Sequence, residues 1–161
     1  MVPNLGPFRV SIDHTSAALA AGEAPVGQLT LPVTLRNYSD VVLARLGHRD
    51  PAQIRTYTGD ALIDTGALYP VLPPAIAEQL GLRRLEPTDL LMADGRLVVG
   101  DKTEPLVYEI AGRQTVVSAL VLGSTLLVGA LVLEALDLAV DTARGQLMPN
   151  LGTWDHPVFR V

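Results

Sequence analysis

The sequence predicts a mainly β protein built as one domain, and three observations carry that reading. Twelve prolines and fourteen glycines in 161 residues interrupt the chain too often for a helical bundle and suit a turn-rich sheet. Leu29, Leu31, Val33 and Leu35 lie on one face by strict alternation, the period of a half-buried strand. Asp94-Gly95 stands between two apolar runs, a strong hairpin signal.

The composition narrows the chemistry. With 48% hydrophobic and 18% charged residues, the chain can bury a core of its own or further surface in an oligomer. Aromatics make up only 4%, so that core is expected to consist of Leu, Val, Ala and Ile. A net charge of −5 and a pI near 5.0 provide no electrostatic footprint for nucleic acid. Cysteine is absent, which removes disulfides, thiol chemistry and Cys-based zinc sites. His14, His48 and His156 lie far apart without metal-ligand spacing, so no metal or other cofactor is expected. Met1 to Val10 has neither a basic start nor an apolar core; no signal peptide is expected, and a cytoplasmic location follows by default.

Taken in order, residues 1–25 read as an N-terminal arm with an Ala-rich stretch from Ala17 to Ala24, and residues 26–161 as the domain. The strand that opens the domain leads to Asn37-Tyr38-Ser39-Asp40, which reads as a turn returning into a strand at Val41-Val42-Leu43-Ala44. Gly47 to Pro51 is a loop, and Ile54 to Ile63 a strand of Thr, Tyr and aliphatic residues. Pro73-Pro74 and Gly81 bracket a short helix over Ala75–Leu80. Leu90 to Val99 reads as two strands about Ala93-Asp94-Gly95-Arg96. Lys102 to Pro105 is a polar turn before a strand at Leu106–Ile110, and Ala111 to Gln114 turns the chain into Thr115–Leu122. A second short strand is expected to end at Gly129, followed by a helix from Ala130 to Leu136 and a strand at Leu138–Val140.

The run from Gln114 to Leu133 carries no charge over twenty residues, long enough for a membrane span. Gly123-Ser124-Thr125 breaks its middle, Val-rich flanks favour strands, and no basic cluster stands at either end. Two buried strands and a turn fit it better than a membrane helix.

The stretch with chemistry in it is Asp60-Ala61-Leu62-Ile63-Asp64-Thr65-Gly66-Ala67. Ala61, Leu62 and Ile63 drive a strand end inward and a carboxylate follows at once. Burying an acid is costly unless it is paired or protonated, so such a placement points to function. Thr65 adds a hydroxyl that can brace the loop, and Gly66 allows a tight turn. A bare Asp-Thr-Gly is weak evidence; its apolar lead-in and Ala67 strengthen it.

From about Val26 onward the chain resembles the single-domain, retropepsin-like aspartic proteases, most closely their bacterial branch. The resemblance rests on Ala61 to Ala67, Ala77-Glu78-Gln79-Leu80-Gly81-Leu82, Ala93-Asp94-Gly95, Leu120-Val121-Leu122 and Leu127-Val128-Gly129-Ala130, with Leu138-Ala139-Val140-Asp141 and His156-Pro157 in support. Two departures stand out: residues 1–25 exceed the usual start, and the flap-like hairpin carries Asp94 instead of a run of glycines. The resemblance implies a closed, barrel-like β lobe with one or two short helices, working as a homodimer because one chain supplies one catalytic acid. Asp64 would be the catalytic carboxylate. Thr65 and Gly66 would support its loop, and Ala67 would present backbone to the substrate. Ala93, Asp94 and Gly95 would close over an extended peptide bound by strand addition. The implied partners are a second copy and a peptide or protein substrate, with no nucleic acid and no membrane.

Other readings remain open at this point. The same fold could serve as an inactive dimeric peptide-binding or scaffold protein. A two-lobed monomer would need Asp141-Thr142-Ala143 as its second loop. Its third residue is Ala, however, and Asp141 stands only 77 residues after Asp64, too few for two complete lobes. Asp141 therefore reads as a turn or surface residue. Asp94 alone is also a common turn residue. Finally, Pro3-Asn4-Leu5-Gly6 recurs as Pro149-Asn150-Leu151-Gly152, and Phe8-Arg9-Val10 as Phe159-Arg160-Val161, which suggests similar surroundings for the two ends at a subunit interface.

Overall fold

The computed structural model describes residues 29–161; the N-terminal arm, and with it the first copy of the repeated end segment, lies outside them. Eleven strands and three α-helices follow one another among the described residues, with a single 3-10 turn at Pro51–Gln53. The strands are β1 (Leu29–Asn37), β2 (Thr56–Ile63), β3 (Val71–Leu72), β4 (Arg84–Leu91), β5 (Leu97–Thr103), β6 (Leu106–Ile110), β7 (Arg113–Val117), β8 (Leu120–Val121), β9 (Leu127–Val128), β10 (Leu138–Asp141) and β11 (Gln146–Pro149). The helices are α1 (Tyr38–Arg45), α2 (Pro74–Gln79) and α3 (Ala130–Ala135).

Nine strands form one sheet in the order β4-β5-β8-β3-β9-β2-β1-β6-β7, while β10 and β11 pair separately. The sheet curls into a half-barrel. The expected mainly β class therefore holds, but the large sheet runs open from β4 to β7 and does not close into a ring. Its concave side holds the core. Leu31, Val33 and Leu35 of β1 and Ala61 and Ile63 of β2 all face it, each less than a tenth exposed. Leu72, Leu80, Leu106, Tyr108, Val128 and Val132 are among the buried residues that pack against them. Burial of each large apolar side chain contributes about 1.5–3 kcal/mol as an upper estimate.

The stretch after β1 corrects the sequence reading. Tyr38–Arg45 is a helix, not a turn and a strand. Asn37 is fully buried, and its Oδ1 accepts the Asp40 N–H at 3.0 Å, capping α1. Its Nδ2 donates to the Leu80 carbonyl at 2.9 Å, so the cap is itself held by the end of α2. The apolar Val41-Val42-Leu43 run that suggested a strand is spread around this helix, with Val41 and Val42 half-buried and Leu43 exposed. Asp40, 1% exposed, then pairs with Arg55, whose Nε lies 2.7 Å from Oδ2.

Smaller corrections have similar causes. Ile54 closes the 3-10 turn, so β2 begins at Thr56. β4 starts at Arg84, well before Leu90, and β5 runs to Thr103. The expected strand Thr115–Leu122 is two strands. Thr103 breaks it: its backbone N–H donates to the Ala119 carbonyl at 2.8 Å, and its hydroxyl accepts the Ala119 N–H at 3.1 Å. Among the described residues no helix is long and apolar enough to cross a membrane.

The C-terminal chain is fastened through Asp137, which adopts a left-handed φ of 53°. Its carboxylate accepts the N–H groups of Leu151, Gly152 and Val158 at 2.8 to 3.0 Å. Burial pushes the Asp137 carboxyl up, and these three N–H groups, helped by the Arg113 charge, outweigh it and hold the group below its ordinary range. Arg113 in turn donates to the carbonyls of Leu136, Asp137 and Thr153 and lies under the Trp154 ring, 5.8 Å from its centroid.

Candidate active site

The Asp64 loop is built by strand pairing on one side and by a helix start on the other. β2 runs parallel to β9, Leu62 opposite Leu127 and Ile63 opposite Val128. Leu62 N–H donates to the Leu126 carbonyl at 2.9 Å, and Asp64 N–H to the Val128 carbonyl at 3.0 Å. β3 flanks β9 on its other side through Val71 and Leu127. The chain that leaves β2 at Asp64 therefore loops out and returns beside the strand that holds it.

Within the loop, the Gly66 N–H donates to Asp64 Oδ1 at 2.8 Å, and the Ala67 N–H to the Asp64 carbonyl at 3.3 Å. Asp64 is half-buried, Thr65 and Gly66 are exposed, and Ala67 is half-buried. Among the described residues no donor reaches Asp64 Oδ2, so one carboxylate oxygen is fixed and the other is open.

The far side of the loop caps α3. The Ala67 carbonyl accepts the Ala130 N–H at 2.8 Å and the Leu68 carbonyl the Leu131 N–H at 3.1 Å, which satisfies donors that a helix start leaves unpaired. Gly129 makes this possible by size alone. A Cβ there would lie 2.6 Å from the Tyr69 carbonyl oxygen and 2.7 Å from that of Leu68, well inside contact distance. Gly129 and Tyr69 were not singled out as site residues from sequence, although the Leu127-Val128-Gly129-Ala130 motif contains the first of them.

Ala93, Asp94 and Gly95 stand at the tip of the β4–β5 hairpin, with Leu91 opposite Leu97. Gly95 takes a left-handed φ of 82°, and the Met92 N–H closes the loop on the Arg96 carbonyl at 2.8 Å. The Asp94 carboxylate accepts the Arg96 N–H at 3.0 Å and lies 2.6 Å from Arg96 Nε. These two bonds, the backbone one first, hold its carboxyl below the ordinary range. Asp94 thus organises its own turn. No hydrogen bond among the described residues joins the hairpin tip to the Asp64 loop. Leu85, Leu91, Leu97 and Val99 on the hairpin are between 56% and 74% exposed, an unusual concentration of apolar surface.

Asp141 ends β10. Its carboxylate accepts the backbone N–H groups of Ala143 and Arg144 at 3.1 Å and pairs with the Arg144 side chain at 2.8 Å. It closes the β10–β11 turn, where Asp141 stands opposite Gln146 in an antiparallel pair, unlike the parallel β2–β9 contact that holds Asp64.

A comparison with protein-family models and with curated proteins finds no match to this chain.

Proposed function

We propose that this protein is a retropepsin-like aspartic endopeptidase whose active site forms when two copies bring their Asp64 loops together. The observation that carries the reading is the state of Asp64: half-buried at a strand end, one oxygen held by Gly66, the other open, on a loop tied at both sides. The exposure of Thr65 and Gly66 supports it, since these residues are available to a second loop across a two-fold axis. The apolar hairpin surface supports it too, because a bound peptide or the partner subunit would cover it.

The chemistry follows from two carboxyl groups in contact. Two such groups about 3 Å apart cannot both ionise, so one keeps its proton. The ionised Asp64 takes a proton from a shared water as the water oxygen adds to the peptide carbonyl carbon. The protonated carboxyl of the other subunit donates to the carbonyl oxygen, giving a neutral gem-diol. Collapse of that intermediate breaks the C–N bond, with one proton passing to the leaving amine, and returns the pair to one shared proton.

The test is peptide hydrolysis by wild-type and Asp64→Asn protein on a denatured protein or a peptide library. Cleavage by the wild type, reduced at least about a thousandfold in the variant, is the expected result. Equal cleavage by a folded Asp64→Asn protein overturns the assignment. Saturable peptide binding with no hydrolysis by either would identify a binding protein.

A further inference from the structure

Strand parity puts Asp60 and Leu62 on the same face of β2, with Ala61 and Ile63 in the core opposite, and Asp64 follows the strand end directly. At about 3.3 Å per residue, Asp60 lies roughly 13 Å from Asp64 and Leu62 about midway. Beside Asp60 and Leu62 opens a shallow, solvent-open cleft of about 540 Å³. Leu62, Leu126 and Ile76 of α2 line it together with the hydroxyl residues Ser124 and Thr125. Tyr57 also lines it, although its strand position shares the parity of Ala61 and Ile63 and its ring packs against the core. The absence of a side chain at Gly59 lets the Tyr57 ring lie along the strand, because a Cβ at Gly59 would come within 2.8 Å of the ring carbon that bears the hydroxyl.

The charge of this cleft is one-sided. Asp60 is exposed and makes no hydrogen bond or ion pair among the described residues, unlike Asp40, Asp94, Asp101, Asp137 and Asp141, which each meet an arginine. No Arg, Lys or His lines the cleft. An unpaired carboxylate beside a cleft lined by both aliphatic side chains and hydroxyl residues suits a cation carried on an aliphatic stem.

We propose that the Asp60 cleft binds a lysine or, better, an arginine side chain of the peptide on which Asp64 acts, two to four positions from the bond to be cleaved. This inference rests on the proposed hydrolytic reading for its biological sense, but the recognition it describes can be measured without hydrolysis.

The experiment uses full-length Asp64→Asn protein and fluorescent peptides of one neutral sequence, with arginine placed at each position in turn and citrulline as its uncharged isostere. At one position arginine should bind about tenfold more tightly than citrulline. Asp60→Asn in the same background should bring that ratio to about one, and Asp60→Arg should favour glutamate there. Arginine and citrulline within twofold at every position overturn the proposal, as does a preference that survives Asp60→Asn, or no saturable binding of any peptide. Wild-type protein that fails to cut these peptides while the Asp60-dependent preference stands would overturn the hydrolytic reading alone.

Discussion

Asp64 donates its backbone N–H to the carbonyl of Val128 at 3.0 Å, so the carboxylate loop and the chain entering α3 form one hydrogen-bonded unit. The next residue, Gly129, then has no room for a side chain against Tyr69. Gly129→Ala should therefore displace the loop at its base. The expected cost is about 1–3 kcal/mol of stability together with loss of any Asp64-dependent activity. Urea denaturation of wild type and variant checks the first part, and an unchanged midpoint would mean that the loop relaxes freely around a methyl group.

Acid sensitivity should trace to Asp40. The hydrogen bonds from the Arg55 side chain outweigh the burial penalty and hold this carboxyl at about 2, below its ordinary 3.8. A carboxyl depressed by folding adds stability above its unfolded pKa and loses it as pH falls through the folded value. Roughly 2 kcal/mol should thus be lost between about pH 4 and pH 2. Stability measured across that range should fall less steeply in Asp40→Asn, which is less stable than wild type at neutral pH.

Tyr108 should tolerate loss of its hydroxyl. Its side chain is fully buried, burial drives its pKa far up, and the hydroxyl has no hydrogen-bond partner among the described residues. Tyr108→Phe removes an unsatisfied polar atom and keeps the ring, so the protein should gain about 1 kcal/mol. A loss of similar size in thermal or chemical denaturation would mean that the hydroxyl is satisfied in solution.

How much of this architecture could be read from sequence depended on where the deciding contacts lie. α2 was legible because Pro73, Pro74 and Gly81 bracket it locally, and the β4–β5 hairpin because Asp94-Gly95 dictates its turn. α1 was not. Val41-Val42-Leu43 looks like a strand, and its helix depends on Asn37, which is held by Leu80 some forty residues away. The split between β7 and β8 has the same origin in Thr103 and Ala119. β11 was missed because its short Gln146–Pro149 run has little periodicity and depends on pairing with β10. The Asp64 loop was legible as a motif. The Asp60 cleft was not, since it needs Ser124 to Leu126 brought alongside β2 by a parallel pairing that no local pattern encodes.

The C-terminal chain should be released by a single change. Asp137 holds the N–H groups of Leu151, Gly152 and Val158 at once, and a methyl group replaces none of those bonds. In Asp137→Ala, amide exchange at these three residues should accelerate at least about tenfold while the β1–β2 pairing stays protected. Unchanged exchange would mean that the Arg113 contacts suffice.

The central claim is that hydrolysis needs one Asp64 from each of two subunits. It is tested most directly by co-refolding wild-type and Asp64→Asn protein in varying proportion at constant total concentration and measuring peptide cleavage. If both carboxylates are required, activity follows the square of the wild-type fraction and falls to about a quarter in an equal mixture. Activity proportional to the wild-type fraction, about half in that mixture, would contradict a site shared between two chains.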